Sequence, residues 1–491
     1  METGNQKCYD LLVIGGGATG LGVAVDGASR GLKTLLLEKY DFGKGTSSRS
    51  TKLIHGGLRY LQQGNISLVF EALHERGLLC KNAPHLVHPL PFVIPNYHFW
   101  ERPFYGMGLK IYDTLAGKLN FEPSKHLTST QTLNRIPTLK KEHLKSGTLF
   151  YDGQFDDARL AITLARTLHD LGGDLFNYTP VKALIKKNQK VIGVYTNRGE
   201  FYAKKVVNAT GIFTDDIRRL DDEMAPLIMK PSRGVHLVLP SHFLPSESAC
   251  IIPHTEDHRL IFMVPWYEHT LIGTTDVEVT APTIEPKASD AEIDFILKQI
   301  EPYLENPPKR SDILSVFAGL RPLVQEEGEG STSTSRSHKI FESDSDLITI
   351  TGGKWTTYRK MAEDTVTLAF PDTRCETDTL HLHGYTTDAD PRGHLSVYGS
   401  EAVAIDTTEK LHLHLPYYAG EIIWAVRYEM AKTVEDVLAR RTRALFLNAK
   451  AAIEIAPKVA EIMAKELKKD KKWLEDEVHA FKSLAQNYIP K

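Results

Sequence analysis

The hydrophobic pattern opens with a short apolar run from Tyr9 to Ile14, a glycine turn from Gly15 to Gly20 and a second apolar run from Lys33 to Glu38. Between them, Ala18 to Ser29 is rich in small residues, which suits a helix packed closely on strands. The order strand, turn, helix, strand predicts a βαβ unit. Farther along, Ile66 to Leu79 and Asp156 to Leu171 predict helices, the latter stopped by Gly172-Gly173 as a C-cap pair. Val181 to Ile185 and Val191 to Thr196 flank a polar turn as a hairpin. Val206 to Gly211 reads as a buried strand ending in a glycine turn. From Val235 to Asp276 short apolar runs alternate with turns, predicting an antiparallel sheet. Prolines and aromatics crowd Pro84 to Phe104, which predicts irregular or edge structure. Gly328 to Ser337 reads as a low-complexity loop. Leu347 to Thr351 predicts a strand that runs through Gly352-Gly353-Lys354 into a helix reaching Phe370.

After Pro371 the pattern changes. Glu421 to Tyr488 carries helical spacing almost throughout, with Ile455, Val459, Ile462 and Leu467 on one face. A boundary is expected near residue 372. Residues 1–372 would hold a discontinuous dinucleotide-binding domain and a substrate (cap) domain, the cap mainly within 61–150 and 225–340. Residues 373–491 would form an all-helical domain. The fold class expected is α/β: a Rossmann-like dinucleotide-binding domain, an antiparallel-sheet cap and a C-terminal helical domain. A length of 491 residues fits two or three domains.

Composition excludes more than it selects. A formal net charge of -3 gives no global field toward nucleic acid or membrane, so an anionic substrate must be caught by local cations. Cys8, Cys80, Cys250 and Cys375 form no C-x-x-C pair, which argues against a disulfide framework, a zinc site or a redox disulfide. The short polar start, Met1 to Lys7, has no signal-type apolar stretch, and no run approaches a membrane span. The expectation is a protein of a reducing compartment, soluble or lying on a membrane without crossing it.

Gly15-x-Gly17-x-x-Gly20, placed between a strand and a helix, carries the first chemistry. Gly15 permits the tight turn, Gly17 lets backbone approach a pyrophosphate, and Gly20 allows close helix–strand packing. The helix N-terminus offers free N–H groups to phosphates. Glu38 can accept hydrogen bonds from ribose hydroxyls and would repel a 2′-phosphate. Three further glycine-bearing segments, Gly43 to Thr51, Ala209 to Gly211 and Gly352 to Thr357, suit a long cofactor wrapped by a discontinuous domain. FAD is therefore expected rather than NAD, and the lack of a second G-x-G-x-x-G points to the substrate as electron donor. The expected cofactor contacts are Gly15, Gly17, Gly20, Glu38, Thr46, Ser47, Ser50, Lys52, Val181, Ala209, Gly211, Gly353, Lys354 and Thr356.

From Thr46 to Tyr60 (TSSRSTKLIHGGLRY) the sequence resembles the aerobic, FAD-dependent glycerol-3-phosphate dehydrogenases of the glycine/D-amino-acid-oxidase-like group. Further matches are Phe155 to Leu160, Ile272 to Asp276, Ala318 to Leu323, Gly352 to Arg359 and Ala439 to Arg443, so the likeness spans nearly the whole chain. It departs after Ala209-Thr210-Gly211, where Ile212-Phe213 stands for the family's usual Pro-Trp. No EF-hand loop is present, so calcium regulation is not implied.

The resemblance implies oxidation of sn-glycerol 3-phosphate to dihydroxyacetone phosphate, with electrons passed to membrane quinone. It places Arg59, Tyr60, Arg321, Arg336 and Lys354 near the flavin and substrate, where fixed cations would hold the phosphate. A base near neutral pKa is needed, and His236 and His55 are the candidates, His236 placed first. Arg321 completes the catalytic set. The bland readings are that Arg59 pairs with Glu71 or Glu75, that Arg336 is a solvated charge, and that Arg440, Arg441 and Arg443 bridge helices. Quinone access calls for peripheral attachment, on the cytoplasmic face of the membrane. Arg102 to Leu119 and the Lys465 to Trp473 cluster are the candidate anchors, against ordinary amphipathic helices. Other readings are an oxygen-using oxidase, a hydroxy-acid or amino-acid oxidoreductase and a non-catalytic flavin-binding scaffold. A homodimer is compatible with the family, and no nucleic-acid partner is expected.

Overall fold

The computed structural model describes residues 8–57, 60–61, 64–257, 259–325, 334–335, 337–390 and 393–490. Arg59, Arg336 and most of the Gly328 to Ser337 loop lie outside them. The first sheet runs in the order His338–Glu342, Leu347–Gly352, Gly199–Asn208, Cys8–Ile14, Thr34–Leu37, Asp174–Phe176, with the hairpin Val181–Lys187 and Lys190–Thr196 attached to Gly199–Asn208. The strands from Leu347–Gly352 to Asp174–Phe176 are mutually parallel. Parallel strands are covered on both faces, which is why they read as unbroken apolar runs. Leu11, Leu12, Val13, Leu35 and Leu36 are accordingly buried. Helix Ala18–Ser29 packs against Tyr358–Ala369 and Asp157–Asp170. Its small residues are required there, since a Cβ on Gly22 would fall 2.8 Å from the Tyr358 ring.

The second sheet has ten strands. Near one end, Ser232–Pro240 is paired antiparallel with both His269–Gly273 and Ser315–Arg321. Pro84 to Phe104 departs from the expectation of irregular or edge structure. Val87–Asn96 is an interior strand, paired along its whole length with Ser146–Phe155. Pro89, Pro91 and Pro95 share one parity, so their missing N–H groups fall along one edge. On its other side, Ala249–Ile252 engages only Phe92 and Val93, and few ladder bonds are at stake.

Beyond residue 400 the chain is mainly helical, in Ala419–Tyr428, Ala449–Leu467 and Lys471–Ala485. Ile455 and Val459 are buried, and Ile462 and Leu467 pack at the edge of the same core. That core is shared: Leu445 and Phe446 join Trp266 and Phe317 of the second sheet. Arg440, Arg441 and Arg443 do not merely bridge helices. They leave their own segment and pair with Asp41 and Asp157 of the dinucleotide-binding half. No described helix is long and apolar enough to cross a membrane.

A second tie is Arg159 with Glu429, joined at 2.8 and 2.7 Å and buried. Removing one partner of such a pair strands a charge, at a cost of about 3–5 kcal/mol. Arg159→Met is expected to lower the unfolding free energy by that amount, and Arg159→Met/Glu429→Met to recover most of it. Equilibrium denaturation of the single and double variants checks both.

Candidate active site

At the C-terminal ends of the parallel strands lies a cavity of about 390 Å3, bounded by Ile14, Leu37 and Ala209, the place where open α/β sheets hold ligands. Its floor is the glycine turn. Gly15 has φ +110°, and a Cβ there would sit 2.6 Å from the Ala209 carbonyl oxygen. Gly17 is the N-cap of helix Ala18–Ser29, and a Cβ on it would crowd the Ser47 hydroxyl at 3.1 Å. Backbone is thus bared just where a pyrophosphate would approach the helix N-terminus. Gly20 serves packing, since its Cβ would meet the Gly15 carbonyl.

Glu38 closes the second strand at the cavity wall. Its Oε2 accepts the Gly16 N–H at 2.6 Å and its Oε1 the Tyr40 N–H at 2.7 Å. Burial pushes its carboxyl above the usual range, although these two donors oppose the rise. Each oxygen keeps a lone pair for a ribose hydroxyl. Thr46, Ser47, Val181, Gly211, Gly353 and Lys354 also line this cavity. Ser50, Lys52 and Thr356 are expected contacts that do not line it. Ser50 and Lys52 turn away to Asp157, at 2.7 and 2.6 Å, and the Thr356 hydroxyl accepts the His55 N–H at 3.2 Å.

A second cavity, of about 160 Å3, abuts the first. Lys354, on the first cavity, places its Nζ 3.9 Å over the ring of Tyr60, which lines the second. Arg321 lines the second cavity and Pro322 the first. Asp276 organises the cations. Its carboxylate accepts Arg321 Nη1 at 3.0 Å and the Ser232 hydroxyl, and lies 3.7 Å from Arg259 Nη1. Arg321 Nη2 also donates to the Thr275 carbonyl at 2.8 Å, and Arg259 Nη1 to that of Asp276 at 3.1 Å. Two guanidinium forks are therefore held in fixed orientation beside the second cavity.

The two histidines differ. His55 lines the second cavity. His236 does not: it is buried, stacked on Phe317 at 4.8 Å, with Nε2 at 2.9 Å from the Thr51 hydroxyl. Burial, with Lys52 and Arg321 nearby, holds its imidazolium pKa well below the ordinary range. Thr51 stands between it and the cavity. Arg259, Asp152 and, on the first cavity, Lys44 and Trp355 were not singled out from sequence. Arg259 is a lone cation before a strand, and only strand pairing brings it here.

A Rossmann-like sheet with a bared glycine turn, joined to a cation-lined cavity on a second sheet, defines a flavin-dependent oxidoreductase. Residues 10–359 match the FAD dependent oxidoreductase family, and residues 345–473 match the C-terminal domain of alpha-glycerophosphate oxidase. The chain is 40% identical to the mitochondrial glycerol-3-phosphate dehydrogenase of Mesocricetus auratus, over 94% of this chain and 71% of that protein. It is likewise 40% identical to that of Homo sapiens, over 95% and 71%. The solved glycerol-3-phosphate dehydrogenase of Bacillus halodurans, complexed with FAD, superposes with a TM-score of 0.79 at 30% identity, covering 98% of this chain and 95% of that one. The chain belongs to the FAD-dependent glycerol-3-phosphate dehydrogenase family, and its cofactor is FAD.

Gly15→Ala is expected to fold yet bind FAD at least about tenfold more weakly, because the strained turn must shift by several tenths of an ångström. Flavin absorbance retained after purification, and FAD titration of the apoprotein, measure the loss.

Proposed function

We propose that the protein oxidises sn-glycerol 3-phosphate to dihydroxyacetone phosphate at the second cavity and passes the electrons to membrane quinone. The observation that carries the substrate reading is the pairing of Arg321 and Arg259 around Asp276, beside Tyr60 and Lys354. A phosphate dianion asks for several fixed cations, whereas a lone carboxylate asks for one clamp. FAD, when bound, supplies the acceptor for the C2 hydride at N5. Arg321 and Arg259 bind and orient the phosphate end. Arg59 and Arg336, outside the described residues, remain proposed phosphate ligands by resemblance. Tyr60 and Lys354 orient the C2 oxygen where the cavities meet. His55 takes the C2 hydroxyl proton, ahead of His236, because it faces the cavity and His236 reaches it only through Thr51. His236 orients the Thr51 hydroxyl. An oxidase reading uses the same half-reaction with oxygen as acceptor; a flavin-binding scaffold would lack it.

Quinone is membrane-bound, and one surface supports attachment. Helix Glu101–Ala116 buries Tyr105, Leu109 and Tyr112 yet exposes Phe104, Met107 and Ile111. Phe99 and Trp100 before it, and Ile66 and Phe70 on the adjoining helix, extend the apolar patch. Exposed Arg102 and Lys110 add positive charge, as an anionic lipid surface would require. The Lys465 to Trp473 cluster lacks such a face, since Trp473 packs against the core.

Adding sn-glycerol 3-phosphate without oxygen is expected to bleach the flavin promptly, and a short-chain quinone to restore its colour faster than air. Absence of bleaching in the flavin-loaded protein overturns the substrate. Arg321→Ala is expected to keep FAD and lose about 100-fold in kcat/KM, the scale of a truncated charge pair. Phe104→Ser/Met107→Ser/Ile111→Ser is expected to abolish sedimentation with anionic vesicles while turnover of a soluble acceptor persists; unchanged sedimentation removes this surface from the reading.

A further inference from the structure

The segment from Thr46 to Thr51 serves both cavities. Thr46 and Ser47 line the flavin cavity, and Thr51 lines the substrate cavity. Between these contacts the backbone turns inward and is gripped from behind. The Ser48 carbonyl accepts Lys52 Nζ at 3.1 Å and Arg443 Nη2 at 2.7 Å. Asp157 accepts the Ser50 N–H at 2.9 Å and lies 3.3 Å from Arg443 Nη2. Arg443 is itself fixed, donating to the Ala439 carbonyl at 2.7 Å and stacked 4.2 Å over Phe446.

The C-terminal segment touches the flavin wall from behind at two more points. Glu435 holds Lys44, a lining residue, at 2.8 Å, and takes Arg440 with its other oxygen at 2.8 Å. Tyr488 donates at 3.1 Å to Glu285, which pairs with Arg49 at 2.7 Å and follows the lining residue Ile284.

Adhesion of the helical segment needs none of this, because the shared apolar core supplies it. Polar ties are directional, and these converge on one face of one loop. We propose that the C-terminal helical segment is a positioning element for the loop shared by the two cavities, with Arg443 and Glu435 as its positioning residues. Neither residue lines either cavity; they act through Ser48 and Lys44. The proposal rests on the flavin assignment of the first cavity and not on the substrate or the electron acceptor.

The test uses the full chain with Glu435→Gln, which keeps size at a partly exposed position, and Arg443→Lys, which keeps charge but not the fork. FAD dissociation constants of the apoproteins, visible spectra of the bound flavin and melting temperatures are measured together. The expected result is FAD binding about tenfold weaker in each, the effect of losing one charge-assisted hydrogen bond behind the ligand, with a shifted flavin spectrum. A merely structural role would lower the melting temperature and leave the dissociation constant alone. Parental FAD affinity in either folded variant overturns the proposal. Should Arg443→Lys fail to fold, Glu435→Gln decides by itself.

Discussion

Two carboxylates, Asp41 and Asp157, are buried in the dinucleotide-binding half with no exposed surface on their side chains. Such charges cost several kcal/mol each unless paired. Asp157 finds Lys52 nearby, but its second cation is Arg443, and Asp41 depends on Arg440 at 2.6 Å and on Arg441. Burial raises the Asp41 carboxyl, and the two arginines outweigh it, leaving it below the ordinary range. Lys52 is also displaced downward, but by burial: Asp157 opposes the fall, and Arg443 adds to it. The nucleotide half therefore completes its electrostatics only with the C-terminal helices docked. The helices beyond residue 400 share both an apolar core and buried ion pairs with the rest of the chain.

A related balance holds at the second cavity. Asp276 partly neutralises Arg321 and Arg259, so raw attraction for an anion is reduced. What is gained is orientation. A guanidinium has five donors, and fixing some of them on Asp276 and on the Thr275 carbonyl aims the rest. With an overall charge of -3 the protein offers little long-range steering for an anion, and the positive charge here is local to these forks.

Chemistry borne by consecutive residues was legible in the sequence. The glycine turn, Glu38 and the glycines after the fourth and last parallel strands each announce a backbone conformation or a strand end, and they line one cavity. Residues whose direction depends on a distant partner were not legible. Lys52 and Ser50 looked like cofactor ligands beside Thr46 and Ser47, yet Asp157, more than a hundred positions away, turns them to the far side of the loop. Arg440 to Arg443 read as helix bridges because their partners lie 286 to 400 positions earlier. The proline-rich strand escaped because single-residue breaker rules do not show which edge of a strand carries the ladder.

The histidines illustrate the same limit from the opposite side. His236 stood out in sequence because it sits in an apolar strand, and in the structure that setting buries it. Taking a proton creates an imidazolium, and burial beside Phe317, Lys52 and Arg321 raises the energy of that cation. A base must be easy to charge at the moment of transfer. His55 instead borders the second cavity, with its backbone tied to Thr356 at the start of the helix after the last parallel strand. A neutral, wedged His236 is better suited to hold the Thr51 hydroxyl in one orientation. Where the two rings sit, one bordering the second cavity and one behind Thr51, follows from packing and strand pairing, which apolar patterning alone could not rank.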